Sequence, residues 1–195
     1  VAMRRFDQSL LFDRLAARGA LAEAQVVAAA EAIARFHESA ERTGGGADTM
    51  ARIVAGNRNS VRRAAVPRPL AEGRADALHA ACIGRLERLR ALLDRRGAEG
   101  FVRDGHGDLH LRNICLIGGN PVPFDAIEFN PDFRRIDVFY DFAFLLMDLL
   151  HRGLAGHANR ALEAYAGATG DLAGLETLPL FIAVRAVIRG HIAAT

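Results

Sequence analysis

The densest cluster of polar residues in the chain is the segment His106 to Asn113, which reads His-Gly-Asp-Leu-His-Leu-Arg-Asn. A short apolar run follows Asn113, and a second one ends at Asp125, with two glycines and an asparagine between the runs. This pattern is typical of a β-hairpin. Because the strands of a hairpin are antiparallel, we expect Asn113 and Asp125 to be neighbours and Asp108 to fold back toward them.

Two carboxylates and an amide in one place are oxygen ligands that suit Mg²⁺, which proteins commonly hold through one or two carboxylates together with substrate phosphates. The spacing His-x-Asp-x-x-x-x-Asn, followed one hairpin later by Asp, is also the arrangement used in phosphoryl transfer. There, one aspartate accepts or orients the proton of the substrate hydroxyl, while the asparagine and the second aspartate hold the metal. Asp and Asn also favour turns, but the three residues at this spacing, with His106, favour catalysis.

A metal-dependent phosphoesterase or other hydrolase is the alternative chemistry. His106, Asp108 and His110 alternate as ligands of a transition metal can, and the segment 107–110 resembles metallophosphoesterase loops. That chemistry needs further His and Asp ligands on both sides, and no Gly-Asn-His follows in this sequence. Both possibilities stay open on the residues alone.

Helices must position these loops, because apolar residues recur three and four apart over most of the chain. Helices are predicted over residues 8–18, 21–42, 48–64, 70–96, 139–150, 154–168 and 178–193, with breaks at 43–46 and 67–69. Residues 139–150 are apolar on nearly every face, which predicts a buried core helix. The fold class is therefore mainly α with a small β-hairpin.

Two aspartates flank the start of the predicted core helix. Asp137 fits the N-cap position. Asp141 lies among apolar residues, where an unpaired carboxylate would be costly, so we expect it to reach the His106–Asn113 loop. The remaining histidines are expected to be ordinary helix residues. Solvated faces are the default expectation for Arg134, Arg135, Arg185 and Arg189, and lining of the cleft is the alternative. The glycines at 44–46 follow a helix and lack a Lys-Ser/Thr, so they are expected to form a linker.

Composition excludes several classes of function. Hydrophobic residues make up 51% of the chain and the net charge is +2, which fits a globular protein without the basic patch that nucleic-acid binding requires. The longest apolar run, residues 142–147, is too short to cross a membrane. Cys82 and Cys115 match no metal or redox spacing, so free thiols and a cytoplasmic location are expected. All 25 basic residues are arginine, so any step that needs a lysine cannot be completed by this chain alone.

The segment His106 to Asn113 resembles the catalytic loop of the aminoglycoside phosphotransferase and choline kinase-like family, in which a histidine such as His110 stands where protein kinases have lysine. The stretches 124–130 and 137–148 look like a bacterial branch in which the kinase-like domain is often joined to a P-loop ATPase domain. The similarity runs from about Val1 to the C-terminus.

This resemblance implies the C-terminal, large lobe of a protein-kinase-like fold over residues 7–195. It implies a catalytic loop at 106–113 and a metal-binding hairpin at 113–128. Residues 1–6 look like a remnant of a strand or hinge of the N-terminal lobe, and the rest of that lobe, with its glycine-rich loop and lysine, is absent from the sequence.

The resemblance also implies roles for individual residues. Asp108 looks like the catalytic base, and Asn113 and Asp125 look like the ligands of Mg²⁺ and, through it, of ATP. The residues expected to shape or support the site are His106, His110, Glu128 and Asp141.

We therefore predict an ATP- and Mg²⁺-dependent phosphotransferase acting on the hydroxyl group of a small molecule, incomplete in this sequence. Its expected partners are that substrate, the N-terminal lobe and a P-loop ATPase domain, with no nucleic acid and no membrane. A non-catalytic kinase-like module that serves a partner domain is the remaining alternative.

Overall fold

The computed structural model describes residues 7–63 and 74–192. Its helices are α1 (Phe12–Ala17), α2 (Glu23–Ser39), α3 (Ala47–Arg63), α4 (Arg74–Ala98), α5 (Val138–His151), α6 (Ala155–Thr169) and α7 (Leu178–Ile192). Its strands are β1 (Val102–Asp104), β2 (Ile114–Ile117), β3 (Asn120–Pro123) and β4 (Arg135–Asp137). Short 3₁₀ turns lie at Gln8–Leu10, Leu111–Asn113, Pro131–Phe133 and Ala173–Thr177.

Helix α5 is the centre of the core. Every residue from Val138 to Leu149 is buried, as the apolar pattern predicted. Helices α6 and α7 pack against it, and α2 packs against α6. The ring of Phe142 stacks on Tyr165 of α6 with centroids 4.0 Å apart. A helix buried on all sides is held rigidly, so a polar side chain on it has a well-determined position.

Two antiparallel pairs of strands lie beside the helices. The predicted hairpin is present as β2 and β3, with Ile114 opposite Pro123, and Gly118 and Gly119 at its turn both have positive φ. The pairing of β1 with β4 was not predicted. Each of these strands has three residues and they lie far apart in the chain, so no alternation of apolar and polar residues marks them.

The predicted helix over residues 8–18 is divided at Leu11, which is extended and bridges to Cys115. The helix predicted over 21–42 ends at Ser39, because Arg42 pairs with Arg103 and the N–H of Thr43 donates to the carbonyl of Val102. Extended pairing with β1 thus replaces the last turn. The predicted remnant at 1–6 and the break at 67–69 lie outside the described residues.

The N-terminus of α5 is tied to α4 through a buried arginine. Asp137 caps α5, as predicted, by accepting a hydrogen bond from the N–H of Phe139 at 2.8 Å. Its two oxygens also accept hydrogen bonds from Arg96 at 2.7 and 2.9 Å, and Arg96 makes a further 2.8 Å contact with Asp171. A buried ion pair of this kind fixes the position of α4 relative to the start of α5, even where it adds little to the free energy of unfolding.

The two cysteines are buried free thiols. Within residues 7–63 and 74–192, no helix combines the length and the apolar character needed to span a bilayer.

Candidate active site

Two buried aspartates of α5 hold the two ends of the loop that begins at His106. Asp141 accepts hydrogen bonds from the N–H groups of His106 and Gly107 at 2.6 and 3.0 Å. Asp148, seven residues further along the helix, accepts one from the N–H of Leu111 at 3.0 Å. Seven residues are about two helical turns, or about 10 Å of rise, which spans the loop. One rigid helix therefore sets the position of the whole segment.

The carboxylate of Asp141 has no exposure to solvent. His37 of α2 lies 3.1 Å from it through Nε2, and Arg185 of α7 lies 3.6 Å from it. Burial by itself would raise the pKa of Asp141, but the hydrogen bond from His37 and the charges of His37 and Arg185 lower the pKa to about 2. The group is therefore ionised at neutral pH and can accept both backbone hydrogen bonds of the loop.

This depressed pKa predicts a pH dependence of folding stability. The ionised form is favoured in the folded state, so the stabilisation is fully present above the ordinary pKa of 3.8 and is lost as pH falls toward about 2. Between pH 5 and 2.5, wild type is expected to lose about 1 to 2 kcal/mol more unfolding free energy than Asp141→Asn. Urea unfolding of both proteins across this range measures the difference. Parallel pH profiles would contradict the assignment.

His106 joins the loop to the second strand of the hairpin. Its Nε2 lies 2.9 Å from the carbonyl of Phe124, and its Nδ1 lies 3.3 Å from the N–H of Asp108. Since a carbonyl can only accept, Nε2 carries the proton and Nδ1 accepts from Asp108. The carbonyl of His106 also accepts a hydrogen bond from the N–H of Ile127 at 3.0 Å. His106 thus links Asp108 to the segment that contains Asp125.

Asp108 and Asn113 are in direct contact. The amide nitrogen of Asn113 donates to the backbone carbonyl of Asp108 at 2.9 Å and to its Oδ2 at 3.0 Å. His110 Nε2 lies 3.3 Å from the same Oδ2, while its Nδ1 accepts from the N–H of Arg112. Burial raises the pKa of Asp108, but His110, Arg185 and Asn113 outweigh burial and hold the pKa below its ordinary value. Both neighbours engage Oδ2, which leaves Oδ1 for another partner.

Asp125 lies beside Asn113 in a strained conformation. The N–H of Phe124 donates to the carbonyl of Asn113 at 2.9 Å, and Asp125 follows directly. Its φ is 62°, the only positive value at a non-glycine residue in the described parts of the chain. Such a conformation costs on the order of 1 kcal/mol and is found preferentially at functional sites. The carboxylate is exposed and has no hydrogen-bond or ion-pair partner among the described residues.

The predicted site residues therefore divide into groups. His106, Asp108, His110, Asn113 and Asp141 are connected by direct hydrogen bonds or ion pairs. Asp125 is connected through the backbone of its neighbour. Glu128 is exposed on the following segment, and no described residue forms a hydrogen bond or ion pair with it. No contact in the structure supports the predicted role of Glu128.

Arg185 completes the site, so the default expectation of a solvated face is wrong for this residue, which is 4% exposed. Its Nη1 donates to the carbonyl of Gly107 at 3.0 Å and its Nε to the carbonyl of Tyr140 at 3.1 Å, and its guanidinium lies 3.9 Å from the centre of the Tyr140 ring. Both peptide groups of Gly107 are thus held: Asp141 accepts a hydrogen bond from its N–H, and Arg185 donates one to its C=O. Gly107 is itself constrained, since its φ is +83° and a Cβ there would lie 2.8 Å from the carbonyl oxygen of Phe133.

His37 was also missed, although both residues carried a signal. Arg185 lies four residues after Phe181 on an apolar helix face, and His37 lies four after Ile33. A polar residue on a buried helix face needs a hydrogen-bond partner. The reasoning that predicts a partner for Asp141 therefore predicts one for His37 and Arg185 as well. Nδ1 of His37 lies 2.7 Å from the hydroxyl oxygen of Tyr165, and Nε2 donates to Asp141, since a carboxylate can only accept.

The donor set fits a hard cation better than a transition metal. The Asp125 carboxylate has no protein partner, and Asn113 uses its nitrogen for Asp108, leaving its amide oxygen for a cation. In the parts of the chain that the structure covers, no three His, Cys, Asp or Glu side chains are grouped to share a metal ion.

Comparison with known proteins gave relatives without an assigned activity. No family model matches the chain. Uncharacterized proteins of Mycobacterium bovis (strain ATCC BAA-935 / AF2122/97) and Mycobacterium tuberculosis (strains CDC 1551 / Oshkosh and ATCC 25618 / H37Rv) are 31% identical to it over 207 residues. The match covers 98% of this chain and 39% of each relative. The chain thus spans about two fifths of the length of these curated relatives.

Two solved structures, both crystal forms of a glucosamine kinase, superpose on the chain with TM-scores of 0.68 and 0.63. They are 22% and 23% identical to it, and the match covers 96% of this chain and 54% and 53% of theirs. The fold is kinase-like. The predicted class, mainly α with a small antiparallel hairpin, is confirmed by the described helices and strands and by these matches. The roles assigned to individual residues of the kinase-like fold remain predictions.

Proposed function

We propose that this chain is the large lobe of an ATP- and Mg²⁺-dependent phosphotransferase that acts on a hydroxyl group of a small molecule. One observation carries the proposal. Asp108, Asn113 and Phe124, the residue before Asp125, form one hydrogen-bonded unit, and a buried helix holds that unit through two carboxylates. The kinase-like fold and the names of the structural neighbours support the same class of reaction.

Asp108 is the proposed base. Asn113 and His110 both engage Oδ2, so Oδ1 is the atom that faces the acceptor hydroxyl. As the hydroxyl oxygen forms its bond to the γ-phosphorus of ATP, the bond from that phosphorus to the bridging oxygen breaks. ADP leaves, and the hydroxyl proton passes to Asp108. Because its pKa is low, the carboxylate is ionised and can orient the hydroxyl before the transfer begins.

Asn113 and Asp125 are the residues that would hold Mg²⁺, through the amide oxygen and the carboxylate. When bound, the ion supplies positive charge that offsets the charge of the transferring phosphate. The hydrogen bonds of Asn113 to Asp108 fix the Asn113 side chain in advance, which favours binding by lowering the ordering cost of that ligand.

The acceptor and the segment that grips ATP belong to the proposal as well. The chain has no lysine, so a phosphate-gripping lysine has to come from another part of the full-length polypeptide. The family that the sequence resembles takes part of its name from aminoglycosides, and the structural neighbours are named for glucosamine. Both molecules are hydroxylated rings that carry amines, so a panel of acceptors should include each of them.

The test is transfer of radiolabelled γ-phosphate by the full-length polypeptide with Mg²⁺ and a panel containing glucosamine, kanamycin and choline. We expect Mg²⁺-dependent transfer to at least one acceptor. Asp125→Asn is expected to lower kcat/KM by about a hundredfold or more and to raise the Mg²⁺ concentration required, because the ion loses a charged ligand. Calorimetric titration of Mg-ATP should show the same weakening.

The matched control is Glu31→Gln, which neutralises an exposed carboxylate on α2. It should transfer phosphate like wild type. Equal Mg²⁺ requirements for Asp125→Asn and wild type would reject the metal assignment. Absence of transfer by wild type to every acceptor would favour the non-catalytic kinase-like module.

A further inference from the structure

Two exposed aromatic side chains lie on the segment that follows Asp125. Phe129 is 81% exposed, the highest value for a large apolar side chain in the described residues, and Phe133 is 50% exposed. Their rings meet edge to face, with centroids 6.0 Å apart and planes at 74°. A buried core position would be the default for phenylalanine, so an exposed pair indicates a surface that contacts another molecule.

Both ends of this segment are pinned to the start of the catalytic loop. At one end the N–H of Ile127 donates to the carbonyl of His106 at 3.0 Å, and at the other the N–H of Gly105 donates to the carbonyl of Arg134 at 2.8 Å. The carbonyl oxygen of Phe133 lies against Gly107, where it would be 2.8 Å from an added Cβ. We call residues 128–133, between these anchors, the aromatic loop.

The anchors place the aromatic loop within reach of the proposed base. Gly107 directly precedes Asp108, and successive Cα atoms are about 3.8 Å apart, so the Phe133 carbonyl lies within roughly 8 Å of the Asp108 Cα. The main chain of the aromatic loop therefore lies close enough to Asp108 for one small molecule to contact both. A macromolecule is not needed to span this distance.

The polar groups of the segment indicate which small molecule fits. Glu128 and Asp132 are exposed, and no described residue makes a hydrogen bond or ion pair with their carboxylates, so they can accept hydrogen bonds from hydroxyls. Arg134, which follows, is paired with Asp104 at 3.2 Å, and Arg135 is exposed. A surface with an apolar corner and carboxylate acceptors suits a polyhydroxylated ring, which can lay its C–H face on an aromatic ring and donate hydrogen bonds from its hydroxyls.

We propose that Phe129 and Phe133 form an acceptor platform, on which a polyhydroxylated saturated ring stacks through its C–H face and presents one hydroxyl to Asp108. The inference rests on the proposed function, because it takes the bound ring to be the phosphoryl acceptor. Within that function it names the class of acceptor and the two side chains that select it.

Binding is measured on the full-length polypeptide by saturation-transfer NMR titration, without nucleotide or Mg²⁺, so that catalysis plays no part. The probes are methyl β-D-glucopyranoside, a neutral ring; sorbitol, which has hydroxyls but no ring face; and choline, a cationic alcohol. The neutral ring is expected to bind more tightly than sorbitol and choline. Phe129→Ala and Phe133→Ala are each expected to weaken its binding about tenfold.

Two variants serve as controls. Phe133→Tyr keeps an aromatic face and should keep the affinity, while Leu172→Ala removes another exposed apolar side chain, outside the aromatic loop, and should change nothing. If the two alanine variants bind the ring as tightly as wild type, the proposal that Phe129 and Phe133 form the platform is wrong. A preference for choline, or binding of sorbitol as tight as that of the ring, also contradicts it.

The experiments distinguish failure of the proposed function from failure of the acceptor platform. If the enzyme transfers phosphate while Phe129→Ala and Phe133→Ala leave KM for the ring unchanged, the platform is wrong and the proposed function stands. If the ring binds through both phenylalanines but no phosphate is transferred to it, the acceptor assignment is wrong even though the binding surface exists.

Discussion

Replacing Asp108 by Asn is expected to lower kcat for phosphoryl transfer by about a hundredfold to ten-thousandfold, the usual contribution of a positioned base. Asn113 and His110 both donate to Oδ2, so the carbonyl oxygen of the new amide should take that place. The NH₂ group then occupies the position of Oδ1 and faces the acceptor hydroxyl. An amide nitrogen cannot accept the hydroxyl proton, so the shape of the site is kept while the base is lost. Steady-state kinetics of the full-length polypeptide measures the effect.

The KM for ATP should change little, because Asn113 and Asp125 are untouched. The midpoint of urea unfolding should also match wild type, which separates lost chemistry from lost structure. Asp108→Ala should lose a similar amount of activity, and Glu31→Gln should lose none. An Asp108→Asn variant that retains more than about a tenth of wild-type kcat would remove Asp108 from the role of base.

Replacing Asp141 by Asn is expected to lower the free energy of unfolding by about 3 to 5 kcal/mol, the range seen when one partner of a buried charge pair is removed. The wild-type carboxylate accepts hydrogen bonds from the N–H groups of His106 and Gly107 and faces His37 and Arg185. The asparagine has one acceptor oxygen for these donors, and its own NH₂ group points at another donor. Urea unfolding followed by circular dichroism measures the loss.

A surface carboxylate is the appropriate comparison for this variant. Glu163 of α6 forms an exposed ion pair with Arg160 at 2.7 Å, and Glu163→Gln should cost less than about 1 kcal/mol. Transfer activity of Asp141→Asn should also fall, since one of the first two N–H groups of the loop loses its acceptor. If Asp141→Asn proved as stable as Glu163→Gln, Asp141 would not be the group that holds the loop.

The local features of this protein were determined by sequence alone. The hairpin follows from two short apolar runs around a glycine-rich turn, and the contact between Asp108 and Asn113 follows from a five-residue spacing. The burial of α5 follows from a run of apolar residues longer than one helix face. Patterns of this kind depend on neighbouring residues, so a single sequence is enough to read them.

The tertiary structure decided which distant side chains complete the site. His37 meets Asp141 across 104 residues, and Arg185 meets Gly107 across 78. Helical periodicity shows that His37 and Arg185 lie on buried faces, but it does not show which polar group each one meets. That depends on how α2 and α7 pack against α5, because a hydrogen bond forms only when packing brings donor and acceptor to about 3 Å.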